Sequence, residues 1–83
     1  MTMYDAITGT IMQITGIIPC RAAGYTVKVH HRRQVNNNTD SHLFVVQDGY
    51  GDTYRIVFRV IIDDNGEITR FKPLFATVVQ EVI

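Results

Sequence analysis

The chain is short of cysteine, of proline, of net charge and of long apolar runs, and each shortage excludes something. Cys20 is its only cysteine, so no internal disulfide framework is possible, and a lone thiol suits a reducing compartment. Eight Lys and Arg residues balance eight Asp and Glu, so no general attraction to nucleic acid or anionic lipid is expected. No stretch approaches the ~20 apolar residues of a membrane-spanning helix. The first residues lack the basic stretch and apolar run of a secretory leader. A soluble, intracellular (cytoplasmic) protein is the expectation, and the acceptor-like Asn37-Asn38-Thr39 then reads as chance. Two prolines and six glycines leave no Pro- or Gly-rich linker, and no repeat is visible, so residues 1–83 form a single domain. A domain this small buries only roughly 60–65% of the surface that its unfolded chain exposes.

What is there is mostly alternation. Tyr54, Ile56, Phe58, Val60 and Ile62 share one parity, and Arg55, Val57, Arg59 and Ile61 the other, which is the period of a long, half-buried strand. Asp63-Asp64-Asn65-Gly66 follows, and Asn-Gly is the strongest short hairpin signal because both residues tolerate positive φ. Glu67 to Lys72 is the returning strand. Earlier, Tyr25 to Val35 and His42 to Gln47 read as strands, with loops at Gln34–Ser41 and Asp48–Asp52. Residues 6–18 are rich in Thr and Ile with two glycines and read as a first strand, its parity switching at Ile11-Met12 as at a β-bulge. Pro19 stops that strand. At the far end Leu74, Phe75, Val78, Val79, Val82 and Ile83 fall at i, i+1, i+4, i+5, i+8 and i+9, the stripe of a short C-terminal helix. The expected fold is therefore α+β: a curved, mostly antiparallel sheet of about five strands with one short C-terminal helix.

The C-terminal part, Tyr54-Arg55-Ile56-Val57-Phe58-Arg59-Val60, Asn65-Gly66-Glu67-Ile68, Thr69-Arg70-Phe71-Lys72-Pro73-Leu74-Phe75 and Val78 to Ile83, resembles the end of the nuclear-transport-factor-2-like superfamily. The likeness is to its SnoaL-like polyketide-cyclase and ketosteroid-isomerase-like branches. Ile14-Thr15-Gly16-Ile17 and Tyr25-Thr26-Val27-Lys28-Val29 are similar, more loosely, to the preceding strands. The resemblance implies a cone-shaped sheet and a homodimer. It departs at Ala76, where the family carries a helix-capping Asp, and in lacking the family's N-terminal helices, so that the chain reads as a truncated form. No catalytic pair of the family has a counterpart here, and no catalytic residue is carried over.

A sheet with two apolar faces and one short helix leaves a face to cover. A second copy is the simplest cover, with Arg55, Val57, Arg59 and Ile61 as interface candidates. A small apolar ligand between sheet and partner would meet Tyr54, Ile56, Phe58 and Val60, with His31 and Arg33 as a basic rim. The leading reading is thus a small-molecule-binding or scaffold homodimer, leaning away from catalysis and needing no cofactor. An isomerase- or cyclase-type enzyme with His31 or His42 as base is the second reading. In sequence, though, those histidines have no acidic or nucleophilic partner, and Cys20 beside Arg21 has no base. His30 or His31, His42, Cys20 and Asp48 lack the spacing of a zinc site, although His30 and His42 could meet across a hairpin. An OB-like barrel binding single-stranded nucleic acid is the third. Tyr25, Phe44, Tyr50 and Tyr54 would stack, and Lys28, Arg32, Arg33, Arg55 and Arg59 would hold phosphates. The balanced charge and the core-like placing of the aromatics argue against it.

Overall fold

The computed structural model describes residues 1–80. One helix, α1 (Met3–Thr15), precedes four strands, β1 (Thr26–Asn36), β2 (Thr39–Gln47), β3 (Thr53–Ile62) and β4 (Ile68–Val79). The strands form one antiparallel sheet in the order β1-β2-β3-β4. The class is α+β as expected, with four strands in place of five. The two largest differences from the sequence reading lie at the chain's two ends.

At the N-terminal end, residues 6–18 do not make a strand; most of them belong to α1. Thr2 caps the helix, its hydroxyl accepting from the Asp5 amide (3.2 Å) while the Thr2 amide donates to Asp5 Oδ2 (2.9 Å). That reciprocal pair satisfies two amides that a helix start leaves open. Ala6, Ile7, Thr10 and Ile11 are buried, an i, i+1, i+4, i+5 stripe that outweighs the weak helix propensity of Thr and Ile. Thr10 returns its hydroxyl to the Ala6 carbonyl (2.7 Å), so it enters the core with its polar atom satisfied. Gly9 faces the sheet: a Cβ there would run into the Phe71 ring, and its absence lets helix and sheet approach closely. Gly16, at φ 74°, ends the helix in the left-handed conformation.

At the C-terminal end, residues 74–79 continue β4 and do not form a helix. Val57 pairs with Phe75, but Phe58 pairs with Pro73, so Leu74 is the extra residue of a bulge. A bulge reverses the alternation, so the residues after it fall out of step with those before it. From Phe75 on the strand alternates without a break, and the apparent helical period of Leu74 to Val79 arises because apolar residues stand on both faces, Phe75 and Val79 on one and Ala76 and Val78 on the other. Pro73 is tolerated because β4 is an edge strand. Ala76, read from the sequence as a lost helix cap, pairs with Ile56 and is buried. Val82 and Ile83, the end of the expected helix, lie outside the described residues. The expected loop at Gln34–Ser41 is also shorter than read: β1 and β2 meet in a tight connection across Asn37-Asn38, with Asn36 paired to Thr39.

The core lies between α1 and one face of the sheet. Ala6, Ile7 and Ile11 pack against Tyr54, Ile56, Phe58, Val60 and Ala76, with Phe44 and Val46 extending the layer onto β2. The molecule is 20 Å through its shortest extent, the depth of a helix on a sheet and no further layer. Among the described residues, no element covers the other face.

Candidate functional site

The register decides which side chains share that uncovered face. Residues directly opposite in an antiparallel pair point the same way. Reading across the sheet, His31, Leu43, Val57 and Phe75 form one row. The next is Arg33, Ser41, Arg59 and Lys72. Flanking them are Val29-Val45-Arg55-Thr77 and Thr39-Ile61-Arg70. Adjacent strands are about 4.8 Å apart, so the cationic row runs roughly 14 Å from β1 to β4.

Charge on this face is one-sided. Arg33, Arg55, Arg59, Arg70 and Lys72 are five of the eight Lys and Arg residues, and none of its strand positions is acidic. Among the described residues the acids lie elsewhere: Asp5 is on α1, Asp40 is buried on the helix side, Asp48 and Asp52 belong to the β2–β3 turn, and Asp63, Asp64 and Glu67 to the β3–β4 turn. Among the described residues the ion pairs are Arg21–Asp5 and Arg32–Asp40, so none of the five open-face cations has a carboxylate within 4.0 Å. Arg59 Nε is buried and donates to nothing in the described chain, an unmet cost for a polar hydrogen. Ile61, Arg70, Phe71 and Lys72 line an open recess of about 310 Å³ at the end of the cationic row. Phe75, at 45% exposure, is the aromatic ring of the apolar row.

The sequence-derived site residues divide between the two faces. Tyr54, Ile56, Phe58 and Val60 point toward α1 and are at most 1% exposed, filling the core. Burial, with Asp48 and Asp52 nearby, pushes the Tyr54 hydroxyl up to about 12. His31 and Arg33 lie on the opposite face and so do not rim those four residues. The interface candidates Arg55, Val57, Arg59 and Ile61 stay together and share the open face with them. Arg70, Lys72, Leu43, Ser41 and Phe75 were not singled out from sequence. The i, i+2 spacing of Arg70 and Lys72 was a visible signal, but only register joins it to Arg59. Of the aromatics proposed as stacking groups, Tyr25, Phe44 and Tyr54 are buried, and Tyr50 is exposed in a turn.

The histidines make a second cluster on the helix side. His30 Nε2 and His42 Nδ1 are 2.8 Å apart, bridged by one N–H. His30 stacks on Phe44 at 3.9 Å between ring centroids, and His42 lies against Phe58 at 5.7 Å. Burial holds both imidazoles below the ordinary histidine range, with mutual repulsion contributing at His42 and His31 and Arg32 contributing at His30; Asp40 opposes this at His42. His42 is 3% exposed, with Nδ1 engaged, so that nitrogen faces no substrate, as a general base must. Among the described residues no three His, Cys, Asp or Glu side chains converge as a metal site.

This pair gives the fold a pH dependence. In the unfolded chain both histidines take up protons near pH 6.5, whereas in the folded chain their affinity for protons is lower. Stability is then complete above about pH 6.5 and falls as the pH drops from there toward the lower folded values. The urea midpoint should decline from pH 7 to pH 5 in the native chain. It should stay flatter in the double variant His30→Phe, His42→Phe, which keeps the ring stack. Equal slopes in the two proteins would remove the pair as the cause.

Compared with known proteins, the chain matches no protein-family model, no curated protein and no solved structure. The fold and its surface together define a small α+β domain: an open four-stranded antiparallel sheet, one face closed by a helix and the other bare and basic.

Proposed function

We propose that the chain is a non-catalytic binding module that acts through the open face of its sheet and takes an anionic, phosphate-bearing partner there. The observation that carries this reading is the segregation of charge in a chain whose net charge is zero. Five cations share one face with no acid among its strand positions. Guanidinium groups dominate the set, and their planar fork suits phosphate oxygens. The unpartnered Arg59 Nε adds a donor that a bound anion would satisfy. A second copy, the occupant that the sequence suggested for Arg55, Val57, Arg59 and Ile61, would bring another five cations onto the same surface. Like charges oppose such a pairing, and an anionic partner meets no such cost.

Retention on immobilised heparin tests the proposal, because a neutral protein has no general reason to bind it. The native chain should be retained at low salt and elute as salt rises. The variant Arg33→Gln, Arg59→Gln, Lys72→Gln should elute markedly earlier, with a salt dependence shallower by about one unit per cation removed. Passage of the native chain without retention, or equal elution of the two, would defeat the reading.

A further inference from the structure

We infer that the anionic partner is single-stranded nucleic acid, lying across the strands with its phosphates along Arg33, Ser41, Arg59 and Lys72 and its bases over His31, Leu43, Val57 and Phe75; this rests on the anion-binding reading above. The two rows are adjacent, two residues apart on β1, β2 and β3 and, across the Leu74 bulge, three on β4, or about 7 Å. A ligand whose charged backbone follows one row can therefore lay flat groups attached to that backbone on the other. The apolar row offers the faces such groups need: the half-buried Leu43 and Val57 in the middle of the sheet, and the exposed Phe75 at its edge. Base stacking on an aromatic ring needs an unpaired base, which a single strand supplies and a duplex holds inside its stack.

The same observations place the other anionic surfaces second. An anionic membrane would need apolar side chains standing above the cations. Here Leu43, Val45, Val57 and Ile61 are half-buried, and the exposed apolar residues of the paired rows, Val29 and Phe75, stand apart on the two edge strands. The cationic row ends beside the open recess of Arg70, Phe71 and Lys72. That recess adjoins Lys72 and is large enough to receive part of a nucleotide.

Fluorescence anisotropy with a labelled ten-nucleotide strand, its duplex form and polyphosphate as competitor tests the assignment. The length falls within the roughly 4–16 nucleotides that small β-domains cover. The native chain should bind the single strand more tightly than the duplex, with affinity falling as salt rises. Phe75→Ala should weaken single-strand binding about tenfold, leave heparin retention unchanged, and be rescued by Phe75→Trp. Its urea midpoint, measured alongside, should match that of the native chain because Phe75 is exposed. Equal affinity for single strand and duplex, together with no effect of Phe75→Ala, would overturn the nucleic-acid assignment and leave a charge-only anion site. Binding to phosphatidylserine vesicles with none to the oligonucleotide would overturn it in favour of a membrane surface. No retention on heparin and no oligonucleotide binding would sink both proposals together.

Discussion

Replacing Phe58 with alanine should destabilise the fold by about 3–5 kcal/mol, the range for truncating a fully buried aromatic. Phe58 is wholly inaccessible and lies at the centre of the sheet's covered face. Its ring is near-parallel to Phe44, 5.8 Å away at 9°, and adjoins His42 at 5.7 Å. Truncation removes a shared wall from that stack, and α1, the one element above the face, has little room to settle into the gap. A domain of this length commands roughly 4–12 kcal/mol in total, so the variant should be largely unfolded or close to it at 37 °C. Phe75→Ala is the control: the same substitution on the open face should shift stability by no more than about 0.5 kcal/mol. Urea unfolding followed by far-ultraviolet circular dichroism compares the two. A Phe58→Ala protein within about 1 kcal/mol of the native chain, well below the range for truncating a buried aromatic, would mean the core does not sit where the structure puts it.

The second large effect is expected at Asp48. This carboxylate is 6% exposed and organises two loops. Its Oδ1 accepts the amides of Tyr50 and Asp52 at 3.0 Å each, and its Oδ2 accepts the Cys20 amide at 3.1 Å. The Cys20 carbonyl accepts from Gly49 in return (3.0 Å). The β2–β3 turn and the segment after α1 are thus tied through one side chain. Asp48→Ala leaves three amides without their acceptor. Hydrogen bonds to a charged group contribute about 1.5–3 kcal/mol each, discounted where water can replace the carboxylate. Tyr50 and Asp52 are exposed and Cys20 is half-buried, which brings the expected loss to about 2–4 kcal/mol. Asp48→Asn keeps one acceptor oxygen and should lose less. Limited proteolysis should cut the Asp48→Ala chain first between residues 17 and 24. Indistinguishable urea midpoints for Asp48→Ala and the native protein would show that the loops hold without this carboxylate.

Where one residue alternates with the next without interruption, the sequence was sufficient. Strand β3 was legible because Tyr54 to Val60 keep strict period two, and β2 was read from His42 to Gln47 without its first residues, Thr39 to Ser41. The β3–β4 turn was legible because Asp63 builds it locally, accepting the Asn65 and Glu67 amides (2.9 and 3.0 Å), with Gly66 at φ 80°. The pairing of His30 with His42 was foreseeable as a consequence of a β1–β2 hairpin. The ends of the chain were not legible. Ile and Thr in α1 favour a strand by propensity, and the capping box at Thr2 and Asp5, with the stripe at Ala6, Ile7, Thr10 and Ile11, carries the opposite message. In β4, apolar residues on both faces of the strand (Phe75 and Val79, Ala76 and Val78) imitate a helical period, and only the hydrogen bonds to β3 tell the two apart.

The candidate site shows the same division. By themselves, the residues determined that the chain is neutral, that Arg55 and Arg59 share a strand face with Val57, and that one face of the long strand is apolar enough to be the core. Tertiary structure decided that Arg33, Arg59 and Lys72 stand in one line, with His31, Leu43, Val57 and Phe75 beside it. A sum of charges carries no direction, and alternation assigns a residue to a side of its own strand without saying which sides of different strands coincide. Register supplies that information. It is set by hydrogen bonds and packing between residues far apart in the chain, and here it gathers five of the eight cations of a neutral protein onto one uncovered surface.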